Sequence, residues 1–70
     1  MRMIVNNLCD GVEVVFVRFY RDHDADLNGR FVEYHFFDYY GRCCTFSGNS
    51  VVMCREKRKA WERLVYERNN

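Results

Sequence analysis

Seventy residues make a single domain, 49% apolar and 17% aromatic, with a net charge of +1. A chain of this size buries only about 60% of the surface its unfolded form exposes, so its core is thin, yet the aromatic content and low net charge exclude a disordered chain. No run is long or apolar enough to span a bilayer, and the apolar stretch Met3 to Val5 is too short for a secretory signal; the expectation is a cytoplasmic chain that meets no membrane.

The chain order predicts strands first and a helix last. Arg2 to Asn6 reads as a short strand, and Asn7 to Gly11 holds an Asp-Gly turn signal. Val12 to Tyr20 is rich in Val and Phe and reads as a strand. Arg21 to Gly29 is polar and acidic, a loop in which Asn28-Gly29 could take positive φ and reverse the chain. Phe31 to Asp38 or Tyr40 is the next strand, Gly41 punctuates it, and Arg42 to Ser47 runs back. Residues 51 to 54 have two readings. Gly48-Asn49 could be a hairpin turn leading into a fourth strand, or Asn49 or Ser50 could cap a helix that begins at Val51. The early helix is favoured because these are the only good caps before the run from Glu56 to Arg68, which lacks Gly and Pro. The expected fold is therefore α+β: an antiparallel β-meander of three to four strands packed by one C-terminal α-helix, in one domain spanning residues 1–70.

Periodicity assigns faces. At about 100° per residue, Cys54, Trp61, Leu64 and Val65 share one helix stripe, with Lys57, Arg58 and Arg68 on or near it. Side chains alternate along a strand, and the more apolar set is expected under the helix: Val12, Val14, Phe16, Tyr20, Val32, Tyr34, Phe36 and Tyr40, with Arg18 and Asp38 able to pair. The remaining set holds Phe19, Phe31, His35, Phe37 and Tyr39, rimmed by Glu13, Arg21 and Glu33. Neither set is polar, although antiparallel sheets with one wet face normally alternate, and one helix cannot cover both sides.

Charge is divided along the chain. Residues 1–54 carry five basic and seven acidic side chains, and residues 55–70 carry six and three. Arg55, Lys59 and Arg63 form a row on the helix and are candidate contacts for phosphate or an acidic partner. A sheet followed by a helix that opens on Lys57, Arg58 and Lys59 loosely resembles the second half of a double-stranded RNA-binding domain. That resemblance implies RNA-backbone contacts by those residues; the family's N-terminal helix has no counterpart here.

Asp24, Asp26, Asn28 and Gly29 resemble the opening of an EF-hand loop. The twelfth position, where a bidentate Glu belongs, is His35, and the flanks read as strands, so an acidic hairpin loop is expected in place of a calcium site. The cysteines Cys9, Cys43, Cys44 and Cys54 are expected as free thiols. Cys43 and Cys44, adjacent on a strand, point to opposite faces and do not converge on zinc. No nucleophile–base pair is visible, so neither enzyme activity nor a cofactor is expected. The expectation is a non-enzymatic protein-binding module acting through Phe19, Phe31, Glu33, His35, Phe37 and Tyr39, toward a different protein or a second copy. Its size and style are those of phage or mobile-element inhibitors of host enzymes or defence complexes. The alternative is a nucleic-acid-binding module that uses the basic helix.

Overall fold

The computed structural model describes residues 1–21 and 28–68. It contains β1 (Arg2–Asn7), β2 (Gly11–Arg21), β3 (Asn28–Asp38), β4 (Cys43–Gly48) and α1 (Val51–Arg68). The strands form one antiparallel sheet in the order β1-β2-β3-β4, and the C-terminal helix packs on it through β3 and β4. This is the expected α+β meander, with four strands. The acidic stretch resembling a calcium loop falls largely outside the described residues. Asn28 and Gly29 do not make the reversal expected of them: they already belong to β3, paired with Arg21 and Tyr20.

The 51–54 ambiguity resolves as helix. Ser50 caps it, its Oγ accepting from the Met53 amide at 3.2 Å and its carbonyl from the Cys54 amide at 3.3 Å. Between β3 and β4, Asp38 organises the turn. Its side chain accepts from the Tyr40 amide (2.9 Å), the Arg42 amide (2.8 Å) and Arg42 Nε (2.9 Å), and Gly41 takes φ +84°, where a Cβ would be strained. Desolvation opposes the Asp38 charge, but the bonds from Arg42 and Tyr40 outweigh it and hold the carboxyl below its ordinary range.

The β2–β3 register corrects the expected faces. Glu13 lies opposite Phe36, Val15 opposite Tyr34 and Val17 opposite Val32. The helix side of β2 is therefore Glu13, Val15 and Val17, and Val12, Val14 and Phe16 face away from it. Val32, Tyr34 and Phe36 do face the helix, as their alternation predicts, and are fully buried with Val15 and Cys54. Tyr40 lies exposed in the turn after β3. Arg18 and Asp38 do not pair: Arg18 lies opposite Phe31, and Asp38 opposite Gly11 at the other end of the hairpin.

The helix stripe also differs. The positions turned to the sheet are Val51, Cys54, Arg58, Trp61, Glu62 and Val65, of which Cys54 and Arg58 are the most buried. Leu64 stands about 100° round the helix from the middle of that stripe and is 58% exposed. An arginine holds the centre of the stripe because the sheet supplies partners for it. Its guanidinium lies 4.8 Å over the Phe36 ring, and its Nη1 donates to the Tyr34 hydroxyl at 2.9 Å.

These contacts belong to a buried polar network centred on Glu13, which is fully buried. Its carboxylate accepts from Asn6 Nδ2 (2.9 Å), the Tyr34 hydroxyl (2.6 Å), Arg55 Nε (3.2 Å) and Arg55 Nη2 (2.5 Å), and Arg58 Nη1 lies 3.6 Å away. A buried carboxylate is tolerated when its lone pairs are filled and its charge is met. The Arg55 bonds, opposed by burial and helped by Tyr34 and Asn6, hold the Glu13 pKa near 2. Burial, reinforced by the neighbouring carboxylate, pushes the Tyr34 phenol well above its ordinary range, so it stays a donor.

Candidate functional site: the open face of the sheet

With the helix on one side, the other side of the sheet is uncovered by any described residue. Cross-strand pairing lays its side chains out in rows. One row runs Met3, Phe16, Glu33, Ser47. The next runs Val5, Val14, His35, Thr45. The third runs Asn7, Val12, Phe37, Cys43, at the end of the sheet near the β1–β2 turn. Met3 is 62% exposed, Val5 52% and Phe37 49%; Val12, Val14 and Phe16 are half-buried among them. The result is a contiguous apolar field carried by β1, β2 and β3.

One polar group sits inside it. His35 Nε2 lies 3.1 Å from Glu33 Oε2, and His35 Nδ1 lies 3.2 Å from Thr45 Oγ1. A neutral imidazole protonated on Nε2 satisfies both, donating to Glu33 and accepting from the Thr45 hydroxyl. Phe16 meets the His35 ring edge-on, with centroids 5.8 Å apart. The ring is thus held in one orientation by two strands and an aromatic edge, an oriented polar group among apolar neighbours.

Of the six residues expected to form a binding surface, the structure brings Phe31, Glu33, His35 and Phe37 together on this face. It does not bring the other two. Phe19 follows Val17 by two residues, so alternation puts it on the helix side, beyond the reach of the helix and 75% exposed. Tyr39 lies in the turn after β3, where its hydroxyl donates to the Leu8 carbonyl at 3.0 Å and ties the β3–β4 turn to the β1–β2 turn. Glu13, expected on the rim, is the buried centre of the polar network.

Sequence reasoning missed Met3, Val5, Val12, Val14 and Phe16 as members of the open face. The signal that could have found them is Glu13 itself. A lone carboxylate in an apolar strand, in a chain whose helix carries Arg55 and Arg58, marks the side of β2 that faces that helix.

The three basic candidates on the helix are divided too. Arg55 is clamped to Glu13, so its charge is already met inside the fold, and the Glu13 carboxylate raises its pKa. Lys59 and Arg63 are exposed. They line an open groove of about 390 Å³ with Glu62, Tyr66 and Glu67, and both carboxylates dilute the field there. The chain matches no protein-family model, no curated protein and no solved structure.

Proposed function

We propose that the chain is a non-enzymatic docking protein whose open sheet face seats on another protein. The observation that carries this reading is the contiguous apolar field of Met3, Val5, Val12, Val14, Phe16, Phe31 and Phe37, left uncovered by the described residues. Monomeric proteins rarely leave such a patch to water unless it meets something. The fixed Glu33–His35–Thr45 group supplies orientation. A partner that fits presents an apolar surface with a hydrogen-bond donor or cation aligned with Glu33. Blocking the surface of a host enzyme or defence complex is the form of docking that suits so small a chain.

The test is the Phe31→Ser/Phe37→Ser double variant, compared with wild type for melting temperature and for capture of a cross-linked partner from the native cell. Loss of capture with an unchanged melting temperature supports docking through this face. Capture that survives the substitution, or unfolding of the isolated variant, overturns it. Because aromatic contacts are apolar, binding should change little between about 50 and 200 mM salt, where phosphate contacts lose orders of magnitude.

A further inference from the structure

The two edges of the sheet are not alike. At the β4 edge, Lys57 Nζ donates to the Ser47 carbonyl at 2.8 Å. The ladder phase there follows from the Asp38 amide bonding the Arg42 carbonyl at 2.9 Å. That makes Asp38 and Arg42 a bonded pair, and alternation then turns the backbone groups of Cys43, Thr45 and Ser47 away from β3. Lys57 therefore guards an outward edge carbonyl, and the helix follows directly.

At the β1 edge the phase is set by the Leu8 amide bonding the Gly11 carbonyl at 2.8 Å. Alternation makes Asn6, Ile4 and Arg2 the residues bonded to β2. Met3, Val5 and Asn7 turn their N–H and C=O groups outward. Among the described residues no strand pairs with them. The usual guards of an edge are Lys, Pro, a bulge or an inward charge. Met3 to Asn7 contains no Pro and no charged residue, and its pairing with β2 runs without a bulge.

We infer that β1 pairs antiparallel with β1 of a second copy of this chain, about a two-fold axis at Val5. In that register Val5 exchanges both backbone bonds with its twin, and Met3 does so with Asn7 of the other copy. Every outward N–H and C=O of the three residues finds a partner. On the helix side Ile4 meets Asn6 of the other copy. The single charge of the strand, Arg2, falls opposite Leu8, so no like charges face each other. The surface is self-complementary, as a two-fold interface requires. The helices stay on one side, and the two apolar fields join into one across Met3 and Val5.

The inference stands apart from docking through the open face, and so does its test. Light scattering or sedimentation on the pure chain, from roughly micromolar to hundreds of micromolar, should show a mass rising from 8.5 kDa to twice that value. Val5→Lys sets two ammonium groups across the axis at roughly the 5.5 Å Cα spacing of a bonded pair and should hold the chain at the monomer mass with an unchanged far-UV spectrum. Phe37→Ser, two strands away, should leave the dimer intact. Amide hydrogen exchange on the wild type reads the edge directly: Met3, Val5 and Asn7 should be protected at high concentration and released on dilution. A single-chain mass at the highest concentration overturns the inference. So does a dimer in which those three amides exchange freely, and if that dimer is also lost in Phe37→Ser the copies meet through their open faces.

Discussion

Replacing Glu13 by Gln tests whether the polar network holds the helix to the sheet. Wild-type Glu13 has its pKa lowered from 4.5 to about 2 in the fold. At about 1.36 kcal/mol per unit, that difference corresponds to roughly 3 kcal/mol of stability. The sign follows from the direction of the shift. A carboxylate whose pKa is depressed on folding contributes fully above its unfolded value, and the contribution drains away as pH falls through the folded value. Stability from Glu13 is therefore complete above about pH 5 and lost between about pH 4.5 and 2. Gln keeps the shape and removes the charge, leaving Arg58 buried against a neutral amide. The cost should stay near that roughly 3 kcal/mol, because Arg55 is partly solvated and Arg58 keeps Glu62 at 3.5 Å; it is still a large share of the roughly 4–10 kcal/mol that a domain of this length possesses. The assay is urea unfolding followed by the fluorescence of Trp61, the lone tryptophan, at several values from pH 7 to 2. The wild-type curve should fall toward the variant curve as pH drops and meet it near pH 2. Asp38, also depressed, titrates in both proteins and cancels in the difference; Glu62, which desolvation and the nearby Asp10 raise, shares Arg58 with Glu13, so its titration shifts between the two proteins. Should Glu13→Gln fail to fold, Arg55→Gln serves: loss of its two bonds should lift the Glu13 titration toward 4.5. Parallel curves for wild type and variant at every pH would refute the argument.

Gly11→Ala should abolish folding, because a Cβ there would run into the Phe37 carbonyl oxygen and sit 2.7 Å from Phe36 Cζ; a folded variant by far-UV dichroism would show the strands less tightly fixed than described. Thiol titration of native protein should proceed in stages. The exposed Cys9 and Cys43 should react quickly, Cys44 slowly because burial pushes its thiol to about 11, and the fully buried Cys54 only on unfolding; a fast third thiol would contradict the burial of the helix face. Trp61→Ala should cost less than the roughly 3–5 kcal/mol of a fully buried aromatic, since Trp61 is half-buried at the margin of the core; a full-sized loss in urea unfolding would place it at the centre.

The element order was legible because each signal was local. Runs such as Val12 to Tyr20 announce strands, Asp10-Gly11 announces a turn, and Ser50 before an uninterrupted helix-forming run announces a cap. Faces were less legible. Counting apolar residues put Val12, Val14 and Phe16 under the helix, whereas the fold chose Glu13, Val15 and Val17. The deciding fact, that Glu13 is met by Arg55 and Tyr34, lies 42 and 21 residues away in the chain. The same displacement explains the candidate site. Phe31, Glu33, His35 and Phe37 follow from the alternation of β3 alone, whereas the β1 and β2 halves of the face depend on the parity of β2, which the Glu13 network sets. Leu64 misled for a related reason, because hydropathy ranks it above Arg58 and cannot anticipate an aromatic ring and a phenol waiting beneath an arginine.

The meander also bears on the speed of assembly. Every strand pairs with its neighbour in sequence, and the helix returns onto β3 and β4, the strands just before it. Such pairing between sequence neighbours favours rapid folding. The bonds from Arg55 to Glu13, with Arg58 paired to it at 3.6 Å, are an exception, closing a long loop between the helix and the second strand. Contacts of that span carry a large loop-closure cost, so we expect them to form after the rate-limiting step. Weakening them should then leave the refolding rate nearly unchanged and accelerate unfolding. In kinetic terms the network is a late latch: it governs how long the folded molecule lasts and has little say in how quickly it arises.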